Sequence, residues 1–515
     1  MSASSDKRAR GGIDTVAIVG TGLMGRGIAQ VVAQAGCEVR LFDAKPGAAE
    51  AGRRDIESTL NRLAERGKLD AANASAASAR VGAVESLGAC AGAQLVIEAI
   101  IERLEDKRAM FKSLEDIVSA DCILASNTSS LSITAIAAAC RTPQRVAGLH
   151  FFSPVPLMKV VEIVDSLLGS PDVGDRLMAF GAALGHTPVR TRDTPGFIVN
   201  HAGRGFGTEA LRIASEGIAD HEVIDRILRS AAGFRMGPFE LLDLTGLDVS
   251  HPVMESIYHQ FYEEPRFRPS PLTGQRMAAG LLGRKTGRGF YAYGDASTIK
   301  PQVPATDSGL KATGTRVWLG AAEPLLRRRV ADLIESLGGV VEAAGPARDG
   351  SLCLVLPMGR DATTCALDEE LDPTHTVALD TLFDLQRHRT LMTTPITSAK
   401  ARAEAQALFG ADGTPVDVIR DSPGFVTQRV VAHIVNIACD IAQQRIATPG
   451  DIDLAVRLGL SYPMGPLAWG DALGPARVLG ILHELQSFYG DPRYRPSPWL
   501  TRRARLGVSL LTPDS

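Results

Sequence analysis

The chain has 515 residues, 45% hydrophobic and 22% charged, with a formal net charge of -3. This length exceeds one ordinary core and predicts about three domains, while the near-neutral balance argues against nucleic acid or an anionic membrane as partner. Seven cysteines and ten histidines are dispersed without a CxxC or HExxH motif, which predicts reduced thiols, a cytoplasmic setting and no structural metal.

In chain order, the opening MSASSDKRARGG lacks the apolar core of a signal peptide. No later stretch approaches the roughly 18 uninterrupted apolar residues of a membrane span. The segment DTVAIVGTGLMGRGIAQVVAQAGCEVRLFDAK predicts a strand over 16–19, a glycine-rich turn, a helix, and a second strand over 38–42 that ends on Asp43. Each glycine has a reason: Gly20 for the tight turn, Gly22 for close approach of a pyrophosphate, and Gly25 for packing of helix on strand. With Leu23 and Met24 they form the start of a helix whose N–H groups and dipole suit phosphates. Asp43 stands where an acid accepts bonds from the adenosine ribose and repels a ribose phosphate, which favours NAD over NADP.

AQLVIEAI and CILASNTSSLSI read as buried strands, each followed by helical pattern, so the sheet is parallel and doubly wound. Glu98, Glu102, Ser126, Asn127 and Ser129 then fall at or just past strand ends, the rim where such sheets bind ligands. In VAGLHFFSPVPLMKVVEIV, His150 ends one strand and Glu162 lies in the next. An imidazole suits the removal of a hydroxyl proton, and a carboxylate partner would fix its tautomer and stabilise the imidazolium. Spacing alone leaves open an unrelated strand-end histidine and a surface glutamate.

From 193 to 294 the pattern turns helical, and 295–315, rich in Pro, Ser, Thr and Gly, reads as a linker. Residues 316–420 show α/β patterning again, but WLGAAEPL lacks the three-glycine spacing and no LHFF follows. This segment is expected to be a degenerate α/β module without a nucleotide. From 421 to 510 the helical pattern returns: DSPGF repeats DTPGF, YPMGPL repeats FRMGPF, and RYRPSP repeats RFRPSP. The second copy is expected to be scaffold, so one NAD site per chain is predicted.

Together GTGLMGRGIAQ, SNTSSLSIT, GLHFFSPVPLMKVVEIV, DTPGFIVN and GRKTGRGFYAYG resemble the 3-hydroxyacyl-CoA dehydrogenase family, in family order across the first half. The second helical copy resembles the double-domain bacterial form. The resemblance implies a Rossmann-like NAD domain (13–192), an all-helical substrate and dimerisation domain (193–294) and a second helical domain (421–510). It implies NAD-dependent oxidation of (3S)-3-hydroxyacyl-CoA, with 3-hydroxyadipyl-CoA of phenylacetate breakdown or a fatty acyl-CoA as candidate substrates. By the same resemblance His150 is the base, Glu162 its orienting partner, Ser129 the residue on the reacting oxygen, and Asn200 the holder of the thioester end. Asp43, Glu102 and Lys107 match cofactor-side positions, and Ser153 stands where the family commonly has Asn. Helical domains of single-copy relatives pair, so the two copies are expected to pair within one chain; a further homo-oligomer stays open. A dicarboxylic tail needs a cation, for which Arg204, Arg212 and Arg235 are candidates. A small hydroxy-acid dehydrogenase without CoA, or a non-catalytic binding protein on the same fold, are the alternatives.

Overall fold

The computed structural model describes residues 10–294, 314–320, 323–343 and 345–514. The expected linker at 295–315 lies outside them apart from Gly314 and Thr315. The described residues divide into two compact units, Met1–His201 with Gln444–Ser461, and Ala202–Gln443 with Tyr462–Ser515. Among them no helix is long and apolar enough to cross a membrane.

The first unit is built on an eight-stranded sheet. Its strands are β1 (Thr15–Val19), β2 (Glu38–Phe42), β3 (Val81–Ala83), β4 (Leu95–Glu98), β5 (Ile123–Ser126), β6 (Val146–Phe151), β7 (Val160–Asp165) and β8 (Thr187–Arg192). The order is β3-β2-β1-β4-β5-β6-β7-β8. All pairs are parallel except β6 with β7. The central strands are apolar on both faces, as a sheet covered by helices on both sides demands: Leu95–Glu98, Ile123–Ser126 and Val146–Phe151 are buried at every position.

Residues 444–461, which lie within the second helical copy in the sequence, group by contacts with the first unit. Arg192 N donates to Ile446 O at 2.9 Å, and a Cβ on Gly459 would come within 2.9 Å of Val199. The helix Pro449–Gly459 thus packs against β7 and β8.

In the second unit, helix Thr427–Gln443 is buried on all sides, from Thr427 to Ala442, the mark of a central helix. Against it lies Arg204–Ser215 of the first helical copy. The approach is close at Gly205, where a Cβ would sit 3.3 Å from the Cα of Ile434. The charged contacts are reciprocal. Arg493 of the second RPSP segment donates to Glu209 of the first copy at 2.8 Å, and Arg266 of the first RPSP segment pairs with Asp440 of the second copy. Arg429 and Tyr494 also donate to Glu209, at 2.9 and 2.7 Å. Burial alone would raise the Glu209 carboxyl, but Arg429 and Arg493 outweigh it and hold it well below the usual range.

The same unit carries a six-stranded sheet: β9 (Arg316–Leu319), β10 (Val340–Val341), β11 (Leu352–Val355), β12 (Thr376–Leu379), β13 (Arg389–Thr393) and β14 (Val416–Ile419), ordered β10-β9-β11-β12-β13-β14. Only β12 with β13 is antiparallel. The helix after β9, Pro324–Ser336, already has an anion at its N-terminus: Glu323 accepts from Leu325 N and Leu326 N, each at 3.2 Å. Arg327 also donates to the carbonyl of Gly320 at 2.7 Å. Among the described residues, the helix start is thus capped from within the chain.

Candidate active site

The phosphate turn has the geometry its residues predict. Gly20 adopts φ +103°, and a Cβ there would lie 2.5 Å from Ala99 O. A Cβ on Gly25 would lie 1.9 Å from Gly20 O, so helix Leu23–Gln34 packs on β1 only because no side chain intervenes. At Gly22 a Cβ would meet nothing within 4 Å. That is open space beside a helix start with no side-chain cap, and room for a pyrophosphate.

Asp43, at the end of β2, is fixed by three donors: Thr21 N at 2.8 Å, Thr21 Oγ1 at 2.7 Å and Lys45 N at 2.9 Å. Burial pushes its carboxyl up, but Lys45 N–H and the Thr21 groups outweigh this and lower it. Gly20, Gly22, Asp43, Ile100 and Ile101 line a cavity of about 590 Å³. The residues fit a dinucleotide with an acid at its ribose.

Past β4 and β5 the predicted residues converge. Glu102 accepts from Ser129 N at 3.2 Å, Ser130 Oγ at 3.0 Å and Thr128 Oγ1. Burial raises Glu102, but Lys107 and the hydroxyls of Thr128 and Ser130 outweigh it and lower its pKa. Lys107 is placed differently from a group that meets solvent. It is 1% exposed, with Nζ 2.6 Å from Glu98 and 3.2 Å from Glu102.

His150 and Glu162 face each other across the antiparallel β6–β7 pair. The Nδ1 to Oε2 distance is 2.7 Å, and both side chains are buried. The other carboxylate oxygen of Glu162 accepts from Ile198 N at 3.0 Å and Val199 N at 2.8 Å. An acceptor on Nδ1 places the proton there and leaves the Nε2 lone pair for a substrate proton. Phe152 and Phe197 wall the imidazole, with ring centroids 4.3 and 5.7 Å away.

The DTPGF turn delivers the backbone donors. Asp193 accepts from Ser132 Oγ and Thr134 N at 2.7 Å each, and from Ile133 N at 3.1 Å, which pins the turn to the start of helix Ile133–Ala137. Gly196 and Phe197 then take φ of 77° and 51°, and the chain turns Ile198 and Val199 toward Glu162. Asn200 Nδ2 donates to Ser129 O at 3.4 Å. His150, Glu162, Ser129 and Asn200 are therefore assembled at one strand-end rim within the first unit.

Leu23, Met24 and Ser153, expected on the cofactor side, line a second cavity of about 330 Å³ together with Arg26, Arg62 and Pro156. Sequence reading passed over Arg26, Thr59 and Arg62 in this cavity; a basic residue on each of two facing helices was the only signal. Of the three arginines considered for an acyl carboxylate, Arg212 is committed to Glu216 and Asp491, at 2.8 and 2.5 Å.

A parallel sheet with a glycine turn, a ribose-side acid and an oriented imidazole places this chain among the nicotinamide-dependent dehydrogenases. Residues 15–194 match the family model for the 3-hydroxyacyl-CoA dehydrogenase NAD binding domain, and 196–293 and 424–509 match that for its C-terminal domain. The chain is similar to 3-hydroxyadipyl-CoA dehydrogenase of Escherichia coli (strain K12), 38% identical over 497 residues, 96% of this chain and 98% of that protein. Human mitochondrial hydroxyacyl-coenzyme A dehydrogenase is 40% identical over 286 residues, 54% of this chain and 90% of that protein. The crystal structure of 3-hydroxybutyryl-CoA dehydrogenase from Escherichia coli K12 matches with TM-score 0.83 and 37% identity, covering 96% of this chain and 98% of that one. The chain belongs to the 3-hydroxyacyl-CoA dehydrogenase family and is an NAD-dependent oxidoreductase of 3-hydroxyacyl-CoA esters.

Proposed function

We propose that the first unit carries the chain's one catalytic site, with His150 as general base for the 3-hydroxyl of the acyl chain. The observation that carries this reading is Glu162. One oxygen bonds His150 Nδ1, and the other is fixed by two backbone N–H groups, so the imidazole cannot swing and its Nε2 is aimed. His150 Nε2 takes the hydroxyl proton, and Glu162 stabilises the imidazolium that forms. Bound NAD, held by Gly20, Gly22 and Asp43, supplies the hydride acceptor. Ser129 donates to the oxygen as it becomes a ketone, and Asn200 holds the thioester end.

The cavity lined by Arg26 and Arg62 is read as the place for the anionic part of CoA. Arg26 is paired with Asp55 in the same lining, so Arg62, which donates to Thr59 Oγ1 at 3.1 Å, together with the hydroxyls of Ser58 and Thr59, supplies the groups suited to a phosphate. For the acyl chain, 3-hydroxyadipyl-CoA is the reading supported by similarity along nearly the whole length to the Escherichia coli enzyme of that name. The test is a kcat/KM panel of 3-hydroxyadipyl-CoA, 3-hydroxybutyryl-CoA and longer 3-hydroxyacyl-CoA esters, together with the free hydroxy acids. Preference for the six-carbon diacid is expected. Equal turnover of free acids would overturn the CoA reading, and preference for the four-carbon ester would overturn the diacid.

A further inference from the structure

Three charged side chains gather at the carboxyl end of β4, and proton transfer by His150 uses none of them. Glu98 is fully buried and accepts from Lys107 Nζ, Ser126 Oγ and Ile100 N at 2.6, 2.6 and 2.7 Å. Lys107 shares its single ammonium with Glu102 at 3.2 Å. Two carboxylates thus divide one cation, and the cluster keeps one negative charge. Another cation would be needed to cancel it, and the nearest basic residue along the chain, Arg103, is paired to Asp106 at 3.3 Å.

The cluster is tied to the reacting centre through Glu102, which accepts from Ser129 N. If Ser129 and His150 hold the substrate hydroxyl, as proposed above, the nicotinamide ring must touch the carbon that bears it. The phosphates enter at Gly20 and Gly22, in the cavity that Ile100 and Ile101 also line. A dinucleotide held there would run across the end of β4, with its ring end toward the cluster. The oxidised ring is cationic and the reduced ring is neutral. A fixed negative charge at this place acts on one and not on the other.

We infer that the Glu98–Lys107–Glu102 cluster biases the cofactor site toward the oxidised form, raising its affinity for NAD relative to that for NADH. A bias of this sign weakens the hold on the reduced product relative to what the site would have without the charge. This rests on the proposed placement of the catalytic site. The depressed pKa of Glu102 keeps its charge in place through the neutral range.

The test is equilibrium binding of NAD and of NADH, each measured by calorimetry without substrate, to the full chain and to Glu102→Gln, Glu102→Asp and Glu98→Gln. Removing one charge should lower the ratio of the NADH to the NAD dissociation constant by roughly three- to tenfold, the effect of a unit charge several ångströms away at a protein-like dielectric. Glu102→Asp keeps the charge, so it should keep the ratio even where both affinities fall. Glu98→Gln should shift the ratio in the same direction as Glu102→Gln, and it carries the test if Glu102→Gln does not fold. Both affinities falling together in Glu102→Gln, with the ratio unchanged, would reduce the cluster to a simple contact and overturn the inference. Failure of the unmodified chain to bind either form would instead overturn the reading of the site itself.

Discussion

Asp380 stands in the second sheet where His150 stands in the first. His150 is paired with Glu162 across β6 and β7. One step beyond the Leu379–Leu391 pair of β12 and β13, Asp380 faces Thr390, whose carbonyl accepts from Asp380 N at 2.9 Å. The turns match as well: Asp421 accepts from Ala362 N at 2.8 Å and Thr363 N at 3.1 Å, as Asp193 does at its own helix, and Phe425 takes φ 48°. Where the first half pairs the His150 imidazole with Glu162, the second has Gln428 donating to Asp380 at 2.9 Å and to Pro357 O at 3.2 Å, and accepting from Gly359 N at 2.7 Å.

Gln428→Ala is therefore expected to cost stability and not chemistry. Losing these buried bonds and leaving a void should remove about 2–4 kcal/mol, read as a lower urea midpoint. kcat per folded molecule should stay within about twofold, because no transferring group lies near. Asn200→Ala should do the reverse, lowering turnover with a small change in stability.

His150→Gln should lower kcat by about two to four orders of magnitude, the usual worth of general-base assistance. NAD affinity, measured by calorimetry, should be unchanged, because the phosphate turn and Asp43 lie on other strands. Turnover within a few-fold of normal would mean that another group takes the proton.

Asp43→Ala should weaken NAD and narrow its advantage over NADP by about tenfold, since the ribose bond and the repulsion disappear together. The ratio of kcat/KM for the two cofactors checks it. The three donors left facing the missing carboxylate, Thr21 N, Thr21 Oγ1 and Lys45 N, are the groups through which a 2′-phosphate would gain.

The acid limb of stability should respond to Asp412. Two-point contact with Arg389, at 2.7 and 2.8 Å, holds its carboxyl down to about 2. The folded pKa lies below the unfolded one, so the contribution is complete above about pH 4 and is lost as the pH falls toward 2. Asp412→Asn should be less stable than the unmodified chain at neutral pH, and urea melts should find the gap closing across that window. A gap that widens as the pH falls would contradict the pairing.

The parts legible in the sequence were those governed by local rules. A glycine turn between strand and helix has one backbone solution, and two strands joined by a short proline-containing turn bring His150 opposite Glu162. Burial and long-range contacts were not legible. Nothing near Lys107 in the chain says that it lies under Glu98 and Glu102 and not at the surface. The placement of Ile446 against Arg192 depends on residues more than 250 positions apart, so nothing local in the chain shows that 444–461 packs with the first unit.

The reciprocal arginine contacts, Arg493 with Glu209 and Arg266 with Asp440, show what joining the two helical copies in one chain permits. In a symmetric pair of separate molecules every substitution at the contact is read twice, and both sides must tolerate it at once. Here each side mutates alone. The two acids already sit at non-equivalent places, Glu209 aligning with Ile437 and Asp440 with Arg212 across the repeat. Such an interface drifts one half at a time, and because both halves travel together it does not come apart on dilution.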